Sequence, residues 1–199
     1  MGTSAVVLVP GALRTWVDTP LAGVALLRRA ELVLRRCPSV DRVEVCGDDL
    51  ASCLAAVPGG DAATVVVHDA LHPLAPPDLV DAVLAALAQA PHVAGAVPVR
   101  PVTDTLKAVD PDGDLTGTLD RSAYAMPGGP QAYRGGVLRA ALERSGTGLP
   151  DLLELPGIVL AAGGTLRTVP SPHDDLRVED AGSLELAEAL LRSRSPRDP

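Results

Sequence analysis

The stretch Thr64-Val65-Val66-Val67-His68 is the strongest indication of the fold class in this chain. It is a short run of mostly β-branched residues between turn-forming residues, a composition typical of a strand buried on both faces of a parallel sheet. The runs Ala5–Val9 and Gly95–Val99 have a similar apolar character. Helical patterns lie between and after these runs, so the chain alternates strand and helix. This alternation predicts right-handed βαβ crossovers and a mostly parallel sheet with helices on both faces.

Similar patterns on either side of that stretch predict the other elements. The predicted strands are 5–9, 42–46, 64–68, 95–99 and 165–169. The predicted helices are 21–36, 49–56, one opened by Pro76-Pro77-Asp78, 136–144, one from 151 to 155 or beyond, and 183–191. Together they predict the fold class α/β, with the architecture of a Rossmann-like three-layer α/β/α sandwich.

The alternation breaks where Asp110-Pro-Asp-Gly-Asp114 separates two short extended runs, 105–109 and 115–119. Asp-Gly between extended runs is typical of a β-hairpin. A hairpin inserted into a doubly wound sheet usually projects from it, and a projecting arm is a natural dimerisation element. We therefore expect a single domain over 1–192 with a β-hairpin arm at about 104–121.

The composition is that of a chain able to bury a continuous core. The length of 199 residues suits one domain, and 47% hydrophobic with 21% charged residues is ordinary for a globular protein. The net charge of -8 and the scarcity of aromatic residues argue against a nucleic-acid partner. No apolar run is long enough to span a membrane, and 1–10 lacks the basic segment of a secretion signal, so we expect a cytoplasmic protein without a membrane partner. The polar end, 193–199, is expected to be a disordered tail.

The three cysteines, Cys37, Cys46 and Cys53, cannot all pair and form no C-x-x-C motif. We interpret them as small core or near-surface thiols, in preference to a zinc site or a disulfide.

Ligands of open parallel sheets bind beyond the carboxyl ends of the strands. The segments that follow predicted strands are Pro10–Thr15, Val67–Pro73 and Pro98–Lys107. Asp69 is either a ligand for a divalent cation beside a phosphate or the cap of the following turn. The segment Asp104–Lys107 is either an anion-binding cluster or a turn followed by a solvated strand edge.

The remaining polar residues carry less information individually. Lys107 is the only lysine among 17 basic residues, retained either for a compact positive charge or by chance. His68 and His72 fit a structural role better than a catalytic one, and Arg121 and Arg177 indicate little by themselves. The chain has no nucleophile elbow, zinc-binding H-E-x-x-H, P-loop or dinucleotide-binding motif. Spacing alone therefore predicts a Rossmann-like domain with a candidate metal–phosphate site.

Several motifs together resemble one known family, the IspD family of 2-C-methyl-D-erythritol 4-phosphate cytidylyltransferases from the non-mevalonate isoprenoid pathway. Their order and spacing agree with that family from about residue 64 to 191. The resemblance implies a nucleotide-diphospho-sugar transferase-like fold. The motifs are Pro20-Leu-Ala-Gly23, Val67-His-Asp-Ala-Leu-His-Pro73, Pro101-Val-Thr-Asp-Thr-Leu-Lys107, Thr118-Leu-Asp-Arg121, Pro130-Gln-Ala-Tyr-Arg134 and Asp174-Asp-Leu-Arg-Val178.

The family joins CTP to a sugar-alcohol phosphate and releases pyrophosphate, with Mg²⁺ and without a covalent enzyme intermediate. Catalysis of such a displacement consists of positioning and charge neutralisation. The resemblance implies Mg²⁺ ligands at Asp69 and Asp174, and a homodimer whose hairpin arms reach the opposite subunit. The other implied residues are catalytic Asp69, Lys107 and Arg14, substrate-binding Thr105, Arg121, Arg177 and His72, and cofactor-binding Pro10, Gly11 and Ala12 of the nucleotide loop.

The chain departs from the family pattern mainly on the nucleotide side. The loop Pro10–Thr19 has one glycine and no lysine, where the family has a glycine-rich loop followed by a lysine. The segment 46–65 lacks the stretch that contacts cytosine and ribose in the family. His72, Gly129 and Arg177 stand where the family has arginine, threonine and lysine.

These departures predict impaired cytidylyl transfer. Loss of one preorganised charge contact typically removes about 2.7–4 kcal/mol of transition-state stabilisation, or about 10²–10³ in rate. The sequence therefore indicates a cytidylyltransferase-like protein of doubtful activity. Two alternatives remain: a non-catalytic dimeric homologue that acts as regulator, scaffold or sugar-phosphate binder, and a nucleotidyltransferase with changed substrates.

Overall fold

A computed structural model of the chain describes residues 2–171 and 176–194. The strands are β1 (Thr3–Leu8), β2 (Pro20–Leu21), β3 (Val24–Ala25), β4 (Arg42–Cys46), β5 (Thr64–Asp69), β6 (Gly95–Pro101), β7 (Lys107–Val109), β8 (Leu115–Thr118), β9 (Ala125–Pro127), β10 (Gln131–Arg134) and β11 (Leu166–Pro170). The α-helices are α1 (Leu26–Arg35), α2 (Leu50–Ala55), α3 (Pro77–Gln89), α4 (Gly135–Ser145), α5 (Leu155–Ala161) and α6 (Ala181–Arg194).

The central sheet has the strand order β11-β6-β10-β5-β1-β4, with β9 also paired to β6. The pairs β1–β4, β1–β5 and β6–β11 are parallel, which confirms the mostly parallel sheet. Strand β10 is antiparallel to both β5 and β6 and lies between them. Strands β9 and β10 were not predicted, because β9 is a mostly exposed strand of three residues and β10 has only two apolar residues, between Gln131 and Arg134.

Helices cover both faces of the sheet, which confirms the three-layer sandwich. The alternation of β1 shows how the core divides: Ala5 and Val7 face one layer, and Val6 and Leu8 face the other. Helices α1, α3 and α6 pack on the Ala5 side, while α2, α4 and α5 pack on the Val6 side. Each layer thus buries an apolar helix face against a strand face, and the carboxyl ends of β1, β4 and β5 remain at one edge.

Two helices begin later than predicted. The helix expected from residue 21 begins at Leu26, because Ala22 and Gly23 adopt positive φ angles of 48° and 78° in the turn between β2 and β3. The helix expected from residue 151 begins at Leu155, because the Asp151 carboxylate accepts a hydrogen bond from the Leu153 amide in a preceding turn.

The predicted arm is a hairpin of β7 and β8, and its side chains lie mostly in solvent. The predicted tail began at 193, whereas α6 includes Ser193 and Arg194. The Ser193 hydroxyl donates to the Leu190 carbonyl, and the Arg194 guanidinium donates to the Leu74 carbonyl. Residues 195–199 lie outside the described residues. Among the helices described, none has the length and apolar character needed to cross a membrane.

The interpretation of the cysteines as three thiols is wrong for two of them. Cys46, at the end of β4, forms a disulfide with Cys53 of α2, with their Cα atoms 6.3 Å apart. These two cysteines are seven residues apart and form no C-x-x-C motif, but the turn between β4 and α2 brings their side chains together. Cys37 is a buried free thiol that donates to Asp81 at 3.0 Å.

Candidate functional site

Asp69 ends β5 at the edge of the sheet where the carboxyl ends of parallel strands meet. Its side chain is fully buried. The Oδ1 atom accepts a hydrogen bond from the Leu71 amide at 2.9 Å, so Asp69 caps the turn that follows the strand. This turn was one of the two roles that the sequence left open for Asp69.

Arg177 supplies the second bond to the Asp69 carboxylate. Its Nε donates to Asp69 Oδ2 at 2.8 Å, and its other nitrogens bind the carboxylates of Asp151 and Glu179. The Arg177 side chain is only 13% exposed. Asp69, Asp151, Arg177 and Glu179 are called the Arg177 cluster below. The backbone beside it is also fixed, because the Val178 amide donates to the Leu71 carbonyl at 2.8 Å.

The Arg177 cluster contains three carboxylates and one guanidinium. Within it, Asp69 and Arg177 each shift the pKa of the other. Burial by itself would raise the pKa of Asp69, but the neighbouring His72 ring, Arg177 and the Leu71 amide together hold that pKa below its usual value. Burial by itself would lower the pKa of Arg177, but Asp69, Asp151 and Glu179 raise it. Both groups therefore stay charged, and the cluster keeps an excess of negative charge.

The two histidines near this cluster, His68 and His72, are buried rather than exposed to solvent. The Nε2 atom of His68 donates to the His72 carbonyl at 3.0 Å, and burial together with the His72 ring lowers the pKa of His68 to about 3. His72 is 3% exposed, and its Nδ1 lies 3.7 Å from Asp69 Oδ2, beyond hydrogen-bond distance. Both rings are therefore buried in the folded chain.

The segment that contains Gly129 and Gln131, at the start of β10, packs against His68 and Leu152. A Cβ atom added at Gly129 would lie 2.6 Å from Leu152 Cδ2 and 3.1 Å from His68 Nδ1. Leu152 thus fills the space beside Gly129. Buried Gln131 donates to the carbonyls of Gly128 and Leu152, and accepts from the Tyr133 hydroxyl. These three hydrogen bonds of Gln131 fix the loop before β10.

The residues described here do not fit a Mg²⁺ ion at Asp69. Its two oxygens are held by the Leu71 amide and by Arg177, and no part of its side chain reaches solvent. Across residues 2–171 and 176–194, no group of three or more His, Cys, Asp or Glu side chains is arranged to hold a metal. Asp174, the second predicted ligand, lies outside the described residues.

The predicted nucleotide loop is short and compact. Gly11–Trp16 forms a 3₁₀ turn after Pro10, and the Leu13 amide donates to the Pro10 carbonyl at 3.2 Å. Gly11 is exposed, and the backbone of Ala12 belongs to the same turn.

Arg14 extends from this turn over the end of β4. Its guanidinium lies against Gly47, where any added Cβ atom would collide with it. It is 3.9 Å from the Asp48 carboxylate, and its side chain is 59% exposed. Arg14 is therefore the cation that the shortened loop presents at the edge of the sheet.

The predicted phosphate-binding residues form a separate group on the arm. The Lys107 ammonium donates to the Thr118 hydroxyl at 2.6 Å, and the Arg121 guanidinium donates to the Thr103 carbonyl. Thr105, two residues before Lys107, is exposed. Within the described part of the chain, no hydrogen bond or ion pair joins these arm residues to the Arg177 cluster.

Of the predicted site residues, the fold brings together Asp69, His72 and Arg177, whereas Arg14 and the arm residues lie in two other groups. Asp151 and Glu179 belong to the Arg177 cluster but were not predicted from the sequence. Glu179 could have been suspected as a site residue, because it directly follows the motif that contains Arg177. Nothing in the sequence indicates Asp151 as a site residue, because the residues around it have the pattern of a helix start.

Comparisons with known proteins show what the chain resembles. The sequence profile described as "IspD: 2-C-methyl-D-erythritol 4-phosphate cytidylyltransferase" matches residues 21–193. A protein of that description from Saccharopolyspora erythraea is 34% identical over 92% of this chain and 91% of its own length. One from Frankia casuarinae is 40% identical over 69% of this chain, and the match spans half of that relative. The profile match begins at Leu21, after the shortened loop.

Solved structures give the same result for the fold. The crystal structure of 2-C-methyl-D-erythritol 4-phosphate cytidylyltransferase from Thermus thermophilus is 25% identical, with a TM-score of 0.73, and the match covers 96% of this chain and 100% of that one. The 4-diphosphocytidyl-2C-methyl-D-erythritol synthase from Anaerococcus prevotii is 15% identical, with a TM-score of 0.81, covering 96% and 98%. The likeness extends over almost the whole length of both chains.

Proposed function

The chain belongs to the 2-C-methyl-D-erythritol 4-phosphate cytidylyltransferase family, and from this membership we propose that it transfers a cytidylyl group from CTP to a sugar-alcohol phosphate at a strongly reduced rate. The reaction is a displacement at phosphorus. A phosphate oxygen of the sugar alcohol bonds to the α-phosphorus of CTP, the bond from that phosphorus to the bridging oxygen breaks, and pyrophosphate leaves. No step is assigned to Mg²⁺, because the described residues around Asp69 do not fit it.

The observation that carries the reduced rate is the pairing of Asp69 with Arg177. The bond between Arg177 Nε and Asp69 Oδ2 occupies the carboxylate at the strand end, and the cluster keeps an excess of negative charge. A triphosphate that approaches this edge meets Arg14 as the cation of the shortened loop. A preorganised cation is typically worth about 10²–10³ in rate, so a site with fewer cations turns over more slowly.

The second substrate is proposed to bind between two subunits. Lys107 and Arg121 on the arm are cations suited to a phosphate group, with Thr105 as a hydroxyl donor. Because they are separate from the Arg177 cluster of their own chain, we propose a homodimer in which each arm serves the opposite subunit. The exposed arm residues Val109 and Leu115, 58% and 72% exposed, would then be covered by the partner.

The second candidate function is a non-catalytic member of the family, namely a dimeric regulator, scaffold or sugar-phosphate binder. The three-carboxylate coordination of Arg177 favours it, because an arginine held in this way gives little charge to a substrate phosphate. For both candidate functions we propose a single domain over 1–192. We also propose that the protein acts in the cytoplasm and has neither a nucleic acid nor a membrane as a partner.

A calorimetric titration of CTP with Mg²⁺ present distinguishes the two functions. Binding in the micromolar range, about -8 kcal/mol, followed by slow pyrophosphate release that requires 2-C-methyl-D-erythritol 4-phosphate, supports the transferase. Arg14→Gln should then weaken CTP binding, whereas Arg167→Gln, a surface control on β11, should not. No heat up to millimolar CTP overturns the transferase. Heat on titration with the sugar-alcohol phosphate alone would then support the binder.

A further inference from the structure

A groove of about 620 Å³ lies on the Ala5 side of the sheet, and its lining includes no residue of the Arg177 cluster. Its walls come from α1, from the segment 73–79 after β5, and from the end of α6. The floor is apolar, because the core residues Val33, Leu74 and Leu79 form it together with the half-buried Leu32 and Leu191. Pockets for small molecules typically measure about 300–1,000 Å³, so this groove has the volume of a ligand site.

Arginines line the same groove. Arg29 and Arg36 are seven residues apart, about two helical turns, so both lie on the groove side of α1. Arg29 is half-buried, and its Nε donates to the Leu21 carbonyl at 2.8 Å. Burial and the neighbouring charge of Arg36 lower the pKa of Arg29. Both guanidinium groups therefore place positive charge along the same wall of the groove.

The pairing of the other arginines on this helix gives a contrast. Arg28 and Arg35, on another face of α1, share the carboxylate of Glu31 at 3.2 and 3.0 Å. Among the residues that the structure describes, neither Arg29 nor Arg36 forms an ion pair. In a chain of net charge -8, two neighbouring cations without a carboxylate partner are an unusual local excess of positive charge.

The rim of the groove completes the charge pattern. Arg194, at the end of α6, lines the groove and donates to the Leu74 carbonyl at 2.7 Å. Asp78, at the start of α3, is an exposed carboxylate that also lines the groove. The groove therefore combines an apolar floor with three guanidinium groups and one carboxylate.

We propose that this groove binds a small soluble amphiphile with a hydrocarbon body and a terminal phosphate. The hydrocarbon would cover the floor of Val33, Leu74 and Leu79. The phosphate would bridge Arg29 and Arg36, because planar guanidinium groups bind phosphate oxygens in pairs and a dianion removes their mutual repulsion. Nucleotides lack the hydrocarbon that the floor requires, and inorganic phosphate buries none of it.

The ligand would also contact the chain that positions Asp69. The wall segment 73–79 continues directly from the turn 69–72, and the Leu71 carbonyl of that turn accepts the Val178 amide beside Arg177. An amphiphile that stiffens the wall segment would therefore stabilise the turn that holds the Arg177 cluster. The groove is a second ligand site, with a physical connection to the first.

The test is a calorimetric titration of the full chain with decyl phosphate below its micelle concentration. Arg36→Gln should weaken binding at least about tenfold, because it removes one of the two guanidinium groups that face the phosphate. Arg35→Gln is the matched control: it removes the adjacent exposed arginine, which pairs with Glu31 outside the groove, and should leave the affinity unchanged. Decanol and inorganic phosphate should each bind at least about tenfold more weakly than decyl phosphate, because each lacks half of the recognition.

Four outcomes would overturn the proposal. They are no heat with decyl phosphate up to about 1 mM, equal affinity in wild type and Arg36→Gln, equal affinity for decyltrimethylammonium, and binding to vesicles of phosphatidic acid without binding of the monomeric phosphate. Arg36 is exposed at the end of α1, so the variant should keep the fold, which far-ultraviolet circular dichroism checks. Arg29→Gln repeats the test from the half-buried side.

Discussion

At the scale of single residues, the bond between Asp69 and Arg177 determines what the strand edge can do. The two residues are 108 positions apart in the sequence, and both were expected to contact ligands. In the folded chain they neutralise each other, because a fully buried carboxylate needs a positive partner. Asp69 therefore stabilises the turn after β5, and Arg177 ties that turn to Asp151 and Glu179.

The pair should respond asymmetrically to substitution. Arg177→Gln leaves the buried Asp69 carboxylate without a cation and should lower the free energy of unfolding by about 3–5 kcal/mol. Asp69→Asn should lower it by less, because Arg177 keeps Asp151 and Glu179 as partners. Urea denaturation of both variants measures the difference.

Arg192→Gln is the control for this comparison, because Arg192 is 71% exposed and pairs with Glu188 in solvent. It should change the free energy of unfolding by no more than about 1 kcal/mol. A larger effect of Asp69→Asn than of Arg177→Gln would contradict the view that the buried carboxylate is the group in need of a partner.

His68 should make the protein less stable in mild acid. Burial and the His72 ring lower the pKa of His68 in the folded chain to about 3, whereas the pKa of a histidine in the unfolded chain is about 6.5. Between these values the unfolded chain binds a proton that the folded chain does not, so stability falls as pH falls. The slope contributed by His68 is up to about 1.4 kcal/mol per pH unit.

Urea midpoints at several pH values from 7 to 5 measure this slope. His68→Gln keeps a donor for the His72 carbonyl but removes the titrating ring, so its slope should be smaller. Asp69 also has a lowered pKa, but its contribution is lost only as pH falls below about 4, outside this window. Identical slopes in wild type and variant would show that the pKa of His68 is not depressed in the folded chain.

At the scale of elements, the disulfide between Cys46 and Cys53 joins the end of β4 to α2. The disulfide closes a loop that contains Gly47, and the Arg14 guanidinium lies against Gly47. The disulfide therefore fixes part of the sheet edge where the candidate nucleotide loop lies. Helix α2 is only six residues long, with Asp49 as its cap, and gains stability from the covalent link.

Reduction of this disulfide should lower the free energy of unfolding by about 2.5 kcal/mol, the loop-entropy value for a cross-link of this short span. Cys53→Ser should abolish the response to a reducing agent, while Cys37→Ser, at the free thiol, should retain it. Denaturation with and without reductant makes the measurement. Three reactive thiols in the non-reduced, unfolded protein would contradict the disulfide.

At the scale of the whole molecule, the arm and the strand edge are proposed to meet only between subunits. Removal of 105–120 with a short glycine link should therefore convert a dimer into a monomer, because it deletes β7 and β8 with their exposed apolar side chains. Sedimentation velocity measures the mass. A persistent dimer would remove the arm from the interface, and unchanged near-ultraviolet circular dichroism checks that the sheet is intact.

The local elements were largely predictable, because they depend on short-range patterns. The β-branched run at Thr64 predicted β5, Asp110–Asp114 predicted the arm, and Pro76-Pro77 predicted the start of α3. The strand β10 was not predictable, because a four-residue segment with Gln131 and Arg134 has no apolar alternation. Its place between β5 and β6 depends on pairing with strands far away in the sequence.

Local sequence is sufficient to predict the α/β alternation, the apolar strands, the family motifs and the shortened loop at Gly11–Trp16, because each of these is a property of neighbouring residues. It does not predict that Arg177 pairs with Asp69, that Cys46 meets Cys53, or that Arg29 and Arg36 face an apolar groove, all of which the folded chain shows. These contacts join side chains from separate elements, and their partners are selected by burial and charge compensation after the layers have packed.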